Sequence, residues 1–82
     1  MDLLQIDLLL ALRPAGQFGI TAESLLGDMR RGRHRELTLP QLEIALRGLA
    51  DLRHATPFTT ALRQPRWRIT AHGTSALVEE GL

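Results

Sequence analysis

One stretch constrains this chain more than any other: TLPQLEIALRGLADLRH, from Thr38 to His54, behind the arginine-rich approach RRGRHRE. Thr38 stands where an N-cap belongs, and Gln41, three residues on, has the reach to close a capping box. Pro40 falls in the first turn, where a missing N–H costs least. At about 100° per residue, Leu39, Leu42, Ala45, Leu46, Leu49, Ala50 and Leu52 share one broad side, while Gln41, Glu43, Arg47, Gly48, Asp51 and His54 share the other. The spacing predicts a helix that packs along one side and leaves the other free to touch a partner.

A packed side needs a core, and 82 residues supply one of modest size, in a single domain over residues 1–82. The absence of cysteine excludes disulfides and thiolate metal sites and is compatible with a reducing cytoplasm. His34, His54 and His72 follow no ligand spacing, so neither metal nor cofactor is expected. The longest apolar run, LLQIDLLLAL, is shorter than the ~20 residues that span a bilayer and is interrupted by Gln5 and Asp7. It also lacks a basic leader and a small-residue cleavage site, so the expectation is no membrane span, no export and a cytoplasmic location.

In chain order, Asp2 to Arg13 reads as a helix ended by Pro14 and Gly16. It is apolar on two sides: Leu3, Ile6 and Leu10 on one, Leu4, Leu8 and Ala11 on the other. The second side requires either deep burial or a partner chain, and Leu4, Leu8 and Ala11 form the candidate interface of a homodimer. Pro14 to Gly19 is a connection, with a very short strand at Phe18 to Ile20. Thr21 is placed to cap a helix from Ala22 to about Arg31, which buries Leu25, Leu26 and Met29, while Arg30 and Arg31 suit the negative end of its dipole. The loop that follows exposes Arg33, His34 and Arg35. After His54 the period changes to two: Pro57–Leu62 and Arg66–Ile69 read as a β-hairpin. Phe58, Thr60 and Leu62 share one face, Trp67 packs with Phe58 or Leu62, and Arg63, Arg66 and Arg68 lie at or near the tip on the solvent side. Thr70 caps a last helix to about Glu80, in which Gly73 allows close approach.

The formal net charge of +1 hides an uneven distribution. From Arg30 to Arg68 nine arginines face only Glu36, Glu43 and Asp51, roughly +6, while the flanks together carry roughly −5. Every basic residue is arginine, which suits bidentate phosphate or guanine contacts and is equally what a GC-rich genome produces.

The order helix, short strand, helix, helix, hairpin, helix is mainly α with a small β-hairpin, an α+β arrangement, and the helix from Thr38 takes the second place of a helix-turn-helix. With basic residues on the hairpin, it resembles the winged helix-turn-helix. RWRITAHGTSAL is similar to the end of the wing in MarR-like and PadR-like bacterial regulators, with Trp67, Ile69, Thr70 and Gly73 at the matching places. The resemblance implies a small bacterial or phage transcriptional regulator that binds double-stranded DNA, with the third helix in the major groove and the wing on the backbone. It implies recognition by Gln41, Glu43, Arg47 and Gly48 and wing contacts by Arg63, Arg66 and Arg68, beside the loop arginines Arg33 and Arg35. A second reading is a protein-interaction winged helix holding a partner through Ile44 and the acidic positions of the third helix's outer face. No nucleophile, base and orienting group are grouped in the sequence, so an enzyme is not expected.

Overall fold

A computed structural model describes all 82 residues. Helix α1 (Leu3–Leu12) opens with a capping box that closes on Asp2 and Gln5: the Asp2 carboxylate accepts from the Gln5 N–H at 2.8 Å, and the Gln5 side chain accepts from the Asp2 N–H at 3.1 Å. A 3₁₀ turn over Arg13–Phe18 follows, with Pro14 in its first turn. Helix α2 (Ala22–Arg31) is capped by Thr21, whose hydroxyl accepts from the Ser24 N–H, and buries Leu25 and Met29, with Leu26 half-buried. Helix α3 (Leu39–Asp51) carries the expected Thr38–Gln41 capping box with Pro40 in its first turn. It ends on Arg53 in the left-handed region (φ 63), with the His54 N–H reaching back to the Leu49 carbonyl and the Arg53 N–H to that of Ala50. That pair of bonds is a Schellman motif in which arginine occupies the place glycine usually takes.

Strands β1 (Ala55–Thr59) and β2 (Pro65–Ile69) pair antiparallel, with Pro57 opposite Trp67 and Phe58 opposite Arg66. The hairpin therefore turns earlier than the sequence suggested, over Thr60–Gln64 and not after Leu62. The Arg63 N–H bonds the Thr60 carbonyl, and Arg63 itself is left-handed (φ 62) ahead of Gln64, whose carbonyl accepts from Thr60. This is the hydrogen bonding of a three-residue hairpin loop, a connection that needs φ > 0 at its last residue. Arginine there hides the turn from a search for glycine or asparagine. Ile20 adds one rung on the far side of β2, exchanging both backbone bonds with Trp67 at 2.9 Å, so the short strand expected at Phe18 to Ile20 is a single bridge.

Helix α4 (Ala71–Glu79) is capped by Thr70, whose hydroxyl accepts from the Gly73 N–H and donates to the Arg53 carbonyl. A Cβ on Gly73 would overlap the His54 carbonyl, which is the close approach expected at this glycine.

The buried cluster is Leu8, Leu9, Leu12, Leu25, Met29, Leu37, Leu42, Leu46, Leu49, Ala55 and Leu77. Helix α1 runs through its middle and touches α2, α3, α4 and β2. Deep burial thus accounts for much of its double apolar character. Leu8 is wholly buried within this chain and has no surface to offer a second copy, whereas Leu4 and Ala11 remain half-buried.

Alternation along β1 and β2 separates residues that were expected to touch. Ala55, Pro57, Trp67 and Ile69 share one face, and Trp67 and Ile69 pack against the core. Thr56, Phe58, Arg66 and Arg68 share the other, so Phe58 cannot pack with Trp67 across the hairpin. Leu62, in the turn, is 93% exposed and packs with neither.

Candidate nucleic-acid interface

The free side of α3 presents Pro40, Gln41, Glu43, Ile44, Arg47 and Asp51, all exposed. Leu42, Leu46 and Leu49 are buried on the opposite side, as their spacing demands. Three residues depart from the expected division, the first being His54, which lies beyond the end of α3 and is half-buried. Leu52 is half exposed just past the last helical turn. Gly48 is half-buried, and a Cβ there would lie 3.3 Å from the Gln5 side-chain nitrogen of α1, so it faces a neighbouring helix and not the open side. Gln41 is exposed but already employed, its carbonyl oxygen accepting from the Thr38 N–H at 3.0 Å.

Where the middle of α3 meets the start of β2 there is a groove of about 240 Å³ lined by Ala22, Glu23, Glu43, Arg47, Pro65 and Trp67. Arg47 is within ion-pair reach of neither carboxylate. Nothing local in the sequence singles out Glu23 for this surface, and Trp67 was expected only to pack. Their presence in this groove follows from the tertiary approach of α2, α3 and β2, which no local pattern encodes.

On the hairpin, only Arg63 stands in the turn. Arg66 donates from Nε to the Gln64 side chain at 2.8 Å and from Nη1 to the carbonyls of Phe18 and Gly19 at 3.2 and 3.5 Å. It ties the hairpin to the 3₁₀ turn and is not simply presented to solvent. Arg68 lies over the Phe58 ring, 5.0 Å from its centre, a cation–π contact that leaves its N–H donors unused.

The loop before α3 is also held. Arg33 grips Asp7 of α1 with two hydrogen bonds, 2.7 and 2.9 Å, and His34 Nε2 lies 2.7 Å from the same carboxylate. The Arg33 hydrogen bond is the largest cause that lowers the Asp7 pKa to about 2, against a desolvation that works the other way; His34 adds to the lowering. Reciprocally, Asp7 raises the Arg33 pKa. Arg30 donates from Nε to the Leu37 carbonyl at 2.8 Å, closing the other end of the loop, and Arg31 pairs with Asp28. The loop expected to be exposed throughout is therefore pinned: His34 is half-buried, and Arg33 is an internal clamp. Arg35, by contrast, is exposed and makes no hydrogen bond within the chain; it shares a shallow cleft of about 530 Å³ with Arg33, His34 and Gln41. The side chains bring together no group of three or more His, Cys, Asp or Glu that would hold a metal ion. No helix is long and apolar enough to cross a membrane.

Superposed on solved structures, the chain matches a glycine-to-lysine mutant of MepR from S. aureus, a MarR-family winged-helix regulator, with a TM-score of 0.81 over 96% of this chain. The fold is a winged helix. Sequence identity in the match is 18%, and the winged helix described here spans 55% of the MepR chain. No protein-family model and no curated protein sequence matches it. Within the winged helix, α2 and α3 form the helix-turn-helix and β1–β2 the wing.

Proposed function

We propose that this winged helix binds double-stranded DNA as a transcription regulator, with α3 in the major groove and the wing along the backbone. The observation that carries the reading is the distribution of guanidinium groups that make no hydrogen bond or ion pair within the chain: Arg47 on the free side of α3, Arg63 in the wing turn, Arg68 stacked on Phe58 of the wing, Arg35 before α3, and Arg53 at the end of α3. Arg47 lines the same groove as Pro65 and Trp67, so the free side of α3 adjoins the start of the second wing strand. Free arginines on such a surface suit phosphate oxygens and guanine edges. Arg33 and Arg66 enter this reading as residues that shape the loop and the wing; Gln41, with its amide nitrogen unspent, remains a candidate contact.

A salt titration of binding to a random-sequence duplex tests it. Three backbone contacts, from Arg35, Arg63 and Arg68, give a log–log slope of roughly −3 per chain. Alanine at Arg63 and Arg68 together reduces the slope by about two units. No affinity for any duplex at low salt overturns the proposal. One observation favours a second reading: Ile44 is 72% exposed in the middle of the same helix face, beside Glu43, as a protein contact would use it. A protein partner seated there binds with little dependence on salt.

Two further elements belong to the proposal. The chain acts in the cytoplasm, without enzymatic chemistry. It also pairs with a second copy, since a twofold regulator matches two half-sites about one DNA turn apart; Leu4 and Ala11 of α1 remain candidates for that contact, and sedimentation of Leu4→Ser against the parent chain tests it.

A further inference from the structure

Glu43 is out of place on a surface offered to a polyanion. It is exposed on the free side of α3, Glu23 lines the same groove from α2, and Arg47 one turn further on neutralises neither, since no ion pair forms. A carboxylate accepts hydrogen bonds and cannot donate them, so phosphates and the acceptor edges of guanine and thymine repel it. Among major-groove edges, cytosine alone offers a donor, its N4 amino group, with no acceptor beside it; adenine places N7 next to its amino group. Arg47 has the opposite requirement and matches guanine O6 and N7 in bidentate fashion. Residues four apart on a helix are separated by about 6 Å along its axis, which spans one or two base-pair steps of roughly 3.4 Å.

We propose that Glu43 and Arg47 together read a cytosine and a guanine one or two base-pair steps apart, and that Glu43 sets specificity chiefly by rejecting the other edges. The inference rests on the DNA-binding reading. It adds a property that reading does not contain: the acidic residue weakens binding to arbitrary DNA and in return discriminates among sequences.

The test is selection from a pool of randomised duplexes by the intact chain and by Glu43→Ala, Glu43→Gln and Arg47→Ala, alongside affinities for a random-sequence duplex. Both positions are exposed, and circular dichroism verifies that each variant is folded. The parent chain enriches cytosine close to guanine. Glu43→Ala loses the cytosine preference, a drop of about five- to a hundred-fold in discrimination at that position, while its affinity for random duplex rises. Glu43→Gln moves the preference toward adenine, whose N6 and N7 match a glutamine amide. Arg47→Ala loses the guanine preference. If the parent binds duplex with an affinity that falls as salt rises and Glu43→Ala keeps the same base preference, the inference fails while DNA binding stands. If the parent binds no duplex at low salt, the DNA reading itself fails and the inference falls with it.

Discussion

Replacing Asp7 by asparagine tests whether charge pins the loop ahead of α3. The Asp7 side chain is only 14% exposed and receives two hydrogen bonds from Arg33, with His34 against the same oxygen. Its pKa falls from 3.8 to about 2 on folding, and at 1.36 kcal/mol per unit that shift sets a ceiling of roughly 2.5 kcal/mol. Arg33, however, is 61% exposed, and solvent screening leaves about 1 kcal/mol. A pKa depressed by folding means that this stabilisation is fully present above the unfolded value of 3.8 and is lost as pH falls through about 2. Asp7→Asn should therefore melt some 4–8 °C below the parent at pH 7, and the gap should close between about pH 5 and pH 2. Thermal unfolding of both proteins across that range, at low salt, measures it. A gap that is constant with pH would show that the loss comes from packing or hydrogen bonding and not from the ionised carboxylate.

Other substitutions probe backbone and packing. Arg53→Gly removes a left-handed arginine at the end of α3 and should stabilise by about 0.5–1 kcal/mol, read as a higher urea midpoint with an unchanged slope. Gly19→Ala should destabilise by more than about 2 kcal/mol, because at φ 67 a Cβ would lie 2.6 Å from both the Trp67 carbonyl oxygen and a Phe58 ring carbon; a shift in tryptophan fluorescence reports the displaced wing strand. Trp67→Ala should cost roughly 3 kcal/mol, since the ring is only half-buried against the core, and an unchanged midpoint would make it a surface residue.

Local signals in the sequence carried most of the framework. The helices stand where capping residues and 3.6-residue spacing put them, because Thr21, Thr38 and Thr70 each satisfy a backbone N–H three positions on, a bond that depends on nothing distant. The wing was placed less well. Its turn relies on Arg63 in a conformation the residue type does not advertise, so the first strand was read three residues too far toward the tip and Phe58 was given the wrong neighbour. The candidate interface suffered from the same limit. That Arg33 clamps Asp7, twenty-six positions away, and that Arg66 reaches the carbonyls of Phe18 and Gly19, are facts of tertiary approach; a count of arginines assigns all of them to a ligand.

Subtracting the arginines that the fold employs changes what binding to DNA requires. Arg13, Arg30, Arg31, Arg33 and Arg66 are engaged within the chain; setting aside Arg53 at the C-terminal end of α3, that leaves Arg35, Arg63 and Arg68 for phosphates and Arg47 for bases, with Glu23 and Glu43 opposing them at the centre. About three phosphate contacts make a weak electrostatic anchor, whereas six or more give the steep salt response of a regulator that holds its site. Two copies on adjacent half-sites reach that number without any new basic residue. The prediction is a slope near −6 on a palindromic duplex carrying two half-sites about one turn apart, against near −3 on a single half-site. Titrations on the two duplexes at equal protein concentration distinguish these cases, and a slope of about −3 on both would mean that the winged helix binds as single copies.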